Sequence, residues 1–191
     1  MEKTALGPTT YLCPMPVAVV GATVNDQPNY MVATYCGLVQ HDPPMIGLSL
    51  AKTHYTNAGI RKSGSFSINV ANADLAERVD HCGTVSGRTD DKSRWFTAFY
   101  GSLGNAPMAA ECPLNLECRL VQVIDFLGTN ELFIGEVVET YVNSDLIADK
   151  RIDVGRLDPL VFTIPDCMYR RLGSIVGRAW EIGRYAGPPT G

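Results

Sequence analysis

The stretch Pro43 to Val70, PPMIGLSLAKTHYTNAGIRKSGSFSINV, decides how the chain is read. Met45 to Leu50 is a short apolar run, long enough for one buried strand. It gives way to Lys52-Thr53-His54-Tyr55-Thr56-Asn57, after which the residues can wind into a helix. Gly64 closes that helix, and Ser65 to Val70 alternates as a second strand. A strand ending in a lysine, two threonines and a helix start is a ready anion site. Helix N-termini leave backbone N–H groups unpaired, and the helix dipole favours negative charge there. The stretch reads as a cradle for a phosphate. The competing reading leaves Thr53 as a simple helix cap and Lys52 in solvent, and this stretch alone does not separate the two.

Working outward, the chain has 191 residues, 46% apolar and 19% charged, which is ordinary for a folded domain with a sizeable core. One domain over residues 1–191 is expected. The net charge is −4, with acids and bases interspersed, so no stripe tracks a nucleic-acid backbone or a membrane surface. No run approaches the ~18 apolar residues of a membrane span. Met1 to Thr10 lacks the apolar core of a signal peptide, so a cytoplasmic protein is expected. The six cysteines, Cys13, Cys36, Cys82, Cys112, Cys118 and Cys167, include no C-x-x-C pair and are expected as reduced, mostly buried thiols. With three histidines and no paired ligand spacing, no metal site is expected.

Upstream, Val17 to Val24 is β-branched and reads as a central strand. Asn25 to Asn29 is rich in turn formers, and Tyr30 to Cys36 returns as the partner of a hairpin. Gly37 to Pro44 reads as a connection, because its double proline cannot donate to a ladder. Downstream, Leu75, Val79 and Cys82 sit at helical spacing, and Gly83 is expected to end that helix. Asp90 or Asp91 is expected to cap a second short helix reaching about Phe99. Leu114 to Val123 and Glu131 to Val142 form a long hairpin. Asp145 to Gly155 is expected as short helix plus loop, Pro159 to Ile164 as a strand, and Tyr169 to Leu172 as a last short one. The Gly-rich tail carries Trp180 and Tyr185. Six to eight strands with two or three short helices make a mostly β chain. A small barrel fits best, since closure removes exposed edges; an open α+β sheet is the alternative.

The chemistry-bearing residues fall in three clusters at strand ends: Asn29 to Cys36, Ser49 to Asn57, and Ser86 to Lys92. Gly83-Thr84-Val85-Ser86-Gly87 misses the hydrolase elbow G-x-S-x-G, and the Gly21 region lacks G-x-G-x-x-G. The three clusters instead suit one flat, anionic, hydrogen-bonding ligand. Lys52, Thr53, Thr56 and Lys92 supply donors and charge for a phosphate. Backbone amides after Met31 and Ser49 can meet a ring edge, and Tyr35 offers an aromatic wall. A flavin phosphate fits that set.

With these residues in view, the chain resembles the flavin reductase-like, FMN-binding split-barrel family, and within it the flavoredoxin branch. The resemblance runs through Cys13-Pro14-Met15-Pro16-Val17, Asp42-Pro43-Pro44, Ser49-Leu50-Ala51-Lys52 with Thr53 and Thr56, and Gly64 to Val70. It continues through Ser86-Gly87 with Asp91-Lys92, Phe133-Ile134-Gly135-Glu136-Val137, and Tyr169 to Gly173. No single piece is specific; their order and spacing are. The resemblance implies a single-domain split β-barrel and a homodimer with FMN held non-covalently at the subunit boundary. Lys52, Thr53 and Thr56 would hold the phosphate. Ser86, Gly87 and Lys92 would close over it, and Asn29 with Thr34, Tyr35 and Cys36 would line the ring and ribityl chain. Ser49, Leu50 and Ala51 would offer backbone contacts.

The chain departs from the family in two places. Tyr35 stands where a tryptophan is frequent. Asn130-Glu131 stands where many relatives have a histidine, and a Glu131 carboxylate near the ring would disfavour its anionic reduced form. Glu131 and Phe162 are the weakest carry-overs to the site. Cys36 is read either as a thiol that tunes the flavin or, more simply, as packing. The implied function is an oxidoreductase whose chemistry belongs to FMN. It is either a flavin reductase using NADH or NADPH or a flavoredoxin-like carrier fed by a protein donor. A non-catalytic flavin-binding barrel and a pyridoxamine-phosphate oxidase relative are the alternatives.

Overall fold

The computed structural model describes residues 1–184; Tyr185 lies outside them. After the short β1 (Met15–Pro16), the chain lays down β2 (Ala18–Val24), β3 (Gln27–Ala33), β4 (Cys36–Gln40) and β5 (Met45–Ala51). Helix α1 (Thr56–Ser63), β6 (Ser65–Val70) and helix α2 (Ala76–Thr84) follow, then the two-residue strands β7 (Ala98–Phe99) and β8 (Met108–Ala109). The long hairpin β9 (Leu114–Asp125) and β10 (Asn130–Val142) leads to β11 (Ile147–Ala148), β12 (Arg151–Ile152) and α3 (Val154–Leu157). Strands β13 (Val161–Thr163) and β14 (Met168–Arg170) close the list. Among the described residues, no helix is long and apolar enough to cross a membrane.

Seven strands form one antiparallel sheet in the order β3-β2-β6-β9-β10-β5-β4. The two ends of that order, β3 and β4, are consecutive in the chain. The sheet therefore curls into a barrel, split where Thr34 and Tyr35 cross between its ends. One residue beyond the paired part of β4 and β5, the Ser49 amide donates to the Tyr35 carbonyl at 2.8 Å. Val20, Leu48, Leu50, Phe66 and Phe133 fill the interior. Val19 and Tyr30 face outward into a second core with Val79, Cys82 and Phe96. Burial on both faces explains why β2 reads as an unbroken apolar run rather than an alternation.

Local causes are visible in several elements, and some overturn the sequence expectations. Asn25 and Asp26 at φ 49° and 62° make a two-residue hairpin turn, so the return strand begins at Gln27 rather than Tyr30. Pro28 is tolerated because β3 is an edge. The expected connection after Gly37 is strand β4, whose exposed edge residues carry no buried face for a pattern to reveal. Gly64 ends α1 at φ 66°, its amide donating to the Ile60 carbonyl. Helix α2 runs through Gly83 and is closed by the Val85 amide on the His81 carbonyl at 3.2 Å. The helix expected after Asp90 is one 3₁₀ turn, Lys92–Arg94, whose N-terminal amide at Ser93 is capped by Asp91 at 3.1 Å. The segment 145–155 adds the β11–β12 hairpin between its two short turns.

Two further features position the site's surroundings. Glu117 is fully buried on β9, and its carboxylate accepts from the Ser102 and Leu103 amides, each at 2.9 Å. That pins the loop after β7 to the barrel wall. Strand β1 pairs with β13 and β13 with β14 in a small separate sheet. Past it, Arg171 pairs with Asp158 and Asp74, and the chain runs on along the outside with Trp180 92% exposed. The six cysteines are unpaired. Cys82, Cys112 and Cys118 are buried, Cys36 is half-buried, and Cys13 and Cys167 are exposed.

Candidate functional site

Three adjoining clefts follow the split in the barrel and share walls with one another. The first holds about 340 Å³ between the turn Thr53–Thr56, the end of α2 and the loop 84–92. The second, about 180 Å³, is walled by β3, Thr34, Tyr35, Ser49 to Ala51 and Asn130. The third, about 470 Å³, opens between Tyr35, Cys36, Leu38, Leu12 and Leu132. Met31, Val32 and His54 line both the first and the second; Thr34, Tyr35 and Ser49 line both the second and the third. The result is one groove, cationic at one end and apolar at the other.

Lys92 dominates the cationic end. It is only 5% exposed, and its Nζ donates to the Cys82 carbonyl at 2.7 Å. That carbonyl is one of the last in α2, so the ammonium also caps the helix C-terminus. Among the described residues, no carboxylate lies within ion-pair distance of it. Burial holds its pKa below the ordinary lysine value, opposed by Cys82 and Asp90. Thr56 is buried, and its Oγ accepts from Asn29 Nδ2 at 2.8 Å, which leaves the hydroxyl proton free to donate into the cleft. Ser86 Oγ accepts from the Arg88 amide at 3.3 Å and likewise keeps its proton. Among the described residues, no side chain caps the N-terminus of α1. Gly87 is required by space: a Cβ there would sit 2.2 Å from Asn29 Oδ1 and 2.7 Å from the Tyr55 ring.

The middle of the groove is neutral and polar. Asn130 Nδ2 donates to Ser49 Oγ at 3.1 Å, and His54 stands where the two clefts meet. Burial, and secondarily the Lys92 ammonium, hold His54 below the usual histidine pKa. At the apolar end Tyr35 is 40% exposed and presents its ring to the groove. Burial pushes the Cys36 thiol up to about 11, so it is a protonated thiol packed on the barrel core.

The structure gathers Thr34, Tyr35, Cys36, Ser49, Leu50, Ala51, Thr53, Thr56, Ser86, Gly87 and Lys92 along this groove. Asn29 stands one layer behind, holding Thr56. Three expected residues are placed elsewhere. Lys52 swings away to Asp125 in a 2.8 Å ion pair. Glu131 turns to Arg61 at 2.5 Å, and that guanidinium lies over the Phe133 ring. Phe162 sits on β13 and packs against Tyr169 in the second core. The Ser49 amide, one of the main-chain donors near the expected ring edge, is taken by the Tyr35 carbonyl. Arg88 and Asn130 enter the groove without having been selected as site residues. Arg88 donates to the Thr53 carbonyl at 3.0 Å and covers the Tyr55 ring at 5.5 Å. Its signal was its place directly after Ser86-Gly87, a second cation in the run that ends at Lys92.

The flavin reductase like domain model matches residues 10–163. A solved structure of flavoredoxin from Methanosarcina acetivorans is 39% identical with a TM-score of 0.93, covering 96% of this chain and 98% of that one. Flavoredoxin of Desulfovibrio vulgaris (Miyazaki F) is 30% identical with a TM-score of 0.89, covering 96% and 100%. An FMN-binding protein from Thermus thermophilus with bound p-hydroxybenzaldehyde is 26% identical with a TM-score of 0.75, covering 90% and 95%.

Proposed function

This chain belongs to the flavin reductase like domain family, and from that premise we propose that it is an FMN-binding redox flavoprotein of the flavoredoxin and flavin reductase type. It passes electrons through a non-covalently held FMN at the boundary between two copies of the chain. The observation that carries this reading is the buried Lys92 ammonium, which opens on a cleft ringed by hydroxyls and, among the described residues, has no carboxylate partner. A buried cation without a counter-charge is costly, and an entering phosphate supplies the missing charge. Thr53, Thr56, Ser86 and Arg88 complete the donor set, and the uncapped α1 N-terminus adds its dipole. The similarity to flavoredoxins and to a protein described as FMN-binding supports the choice of FMN.

From the phosphate end, the groove leads the ligand past His54 to Thr34, Ser49 and Asn130, with Tyr35 as the wall against the ring. When bound, FMN supplies the electron- and hydride-accepting chemistry. The protein's part is to grip the phosphate, orient the ring and exclude water. The Glu131 carboxylate does not oppose reduction in this arrangement, because Arg61 neutralises it outside the groove.

The test has two arms. FMN titrated into colourless protein is expected to bind tightly while riboflavin, which lacks the phosphate, binds far more weakly; equal affinities would remove the reading. Anaerobic mixing of the loaded protein with NADH or NADPH then separates reductase from carrier, since only the reductase bleaches within physiological times.

A further inference from the structure

Beyond β14 the chain keeps an apolar sequence whose large side chains are mostly open to solvent. Ile175, Val176 and Trp180 are each at least nine-tenths exposed (94%, 90% and 92%), with Leu172 and Ile182 also open to solvent. A free polar tail does not carry bulky side chains at this density. A matching surface lies at the apolar end of the groove. Its walls there, Leu12, Met15, Leu38, Val39 and Leu132, carry no charge, and Leu12 and Leu38 are themselves widely exposed.

Topology connects the two. Met15 in β1 pairs with Phe162 in β13, and β13 pairs with β14, after which the tail departs. Arg171 fixes the root through Asp158 and Asp74. The tail thus leaves from the same small sheet that builds one wall of the groove, yet Ile175, Val176 and Trp180 stay almost wholly open to solvent, while Ile182 folds back over Gly177. Arg178 and Glu181 pair with each other at 3.3 Å, which leaves Arg184 at the end of the arm as its one charge without an ion pair among the described residues.

We propose that residues 172–184 form an arm that seats its apolar side chains in the outer end of the groove of a second copy of this chain, and that the second copy returns its own arm. The area is sufficient. A buried tryptophan contributes about 150–250 Å². With four aliphatic side chains per arm and the groove walls they cover, two reciprocal arms bury on the order of 1,500 Å², the size of a stable interface. A two-fold exchange of this kind also closes, leaving no free arm to propagate. The arm rests on the two-copy reading above and completes it, because the partner then walls the groove beyond Tyr35.

The experiment uses the full chain without flavin, so that its outcome is independent of FMN binding. Trp95 is stacked on His81 at 3.8 Å, so the difference between wild-type and Trp180→Phe emission isolates Trp180. That emission is expected to be blue-shifted where sedimentation shows a dimer, and to become that of a solvated indole as dilution dissociates it. Trp180→Asp and Ile182→Asp should each weaken association by on the order of tenfold or more. Trp180→Cys, treated with a thiol-specific oxidant to take up the two electrons, should form a disulfide-linked dimer through Cys13, the exposed thiol between the groove residues Leu12 and Pro14. A dimer whose Trp180 stays solvated overturns the arm and leaves the FMN reading standing. A blue shift that ignores concentration places the arm on its own chain and equally overturns the proposal. Unchanged association in both aspartate variants does the same. Loss of FMN binding with an intact concentration-dependent arm sinks the flavin reading alone.

Discussion

Replacing Lys92 with methionine removes the charge at the phosphate end of the groove while keeping most of the side chain's volume. Two opposing effects on the empty protein follow from its surroundings. The variant loses the 2.7 Å hydrogen bond to the Cys82 carbonyl and with it the cap on α2, worth about 1 kcal/mol. It also loses a buried ammonium whose charged form is disfavoured by burial, which offsets that loss. The net change in stability is therefore expected to stay within about 1 kcal/mol. Binding has no such compensation. A charge-assisted hydrogen bond to the phosphate contributes about 1.5–3 kcal/mol, so FMN affinity should fall roughly tenfold to a hundredfold. Riboflavin should lose almost nothing. Fluorescence titration of both flavins against wild type and Lys92→Met measures the two ratios, with urea unfolding as the check on folding. Equal loss for FMN and riboflavin would mean that the lysine shapes the groove and does not hold a phosphate. Wild-type affinity for both would place the phosphate elsewhere.

Other substitutions discriminate further. Thr56→Ala should weaken FMN binding by about 1.5–3 kcal/mol, and it should also lower stability because Asn29 Nδ2 loses its acceptor; Thr56→Ser should restore most of both in the same titration and unfolding curves. Lys52→Ala should leave FMN affinity near wild type and change stability by less than about 1 kcal/mol in urea, since its exposed pair with Asp125 is all it loses. Glu117→Ala strands two loop amides in a buried site and should destabilise by about 1–3 kcal/mol for each, read from the urea midpoint. Because the pKa of His54 is depressed in the folded protein, the unfolded chain binds more protons just below the ordinary histidine value. The empty protein should therefore hold its full His54 contribution above about pH 6.5 and lose it as pH falls toward the folded value. A melting temperature that follows the same pH profile in His54→Asn would refute that assignment.

The barrel was legible where chemistry and pattern agree. Met45 to Val70 carries strand, helix and strand with Gly64 as punctuation, and all three elements formed where expected. The shift of β3 was missed because the turn chemistry lies in two residues, Asn25 and Asp26, while Gln27-Pro28-Asn29 also look like a turn. Strand β4 was invisible because an exposed edge strand shows no alternation. At the site, residue types predicted the groove's donors but not their directions. Lys52 and Lys92 are equivalent in sequence; the structure sends one to Asp125 and buries the other, because Asp125 sits at the end of β9 and the ion pair can form only once β9 and β10 have paired beside β5. Glu131 was diverted by Arg61 for the same long-range reason.

The ammonium of Lys92 does two jobs at once: it terminates a helix and it faces an opening. The bond to the Cys82 carbonyl uses one of its three protons, so an anion arriving in that opening can take another while the last turn of α2 stays tethered. Occupancy of the groove and protection of the amides around residues 82–92 are therefore linked, and linkage is reciprocal. A change that frays the end of α2 weakens ligand retention without touching any group that meets the ligand, and saturating ligand slows hydrogen exchange along the second core from a distance.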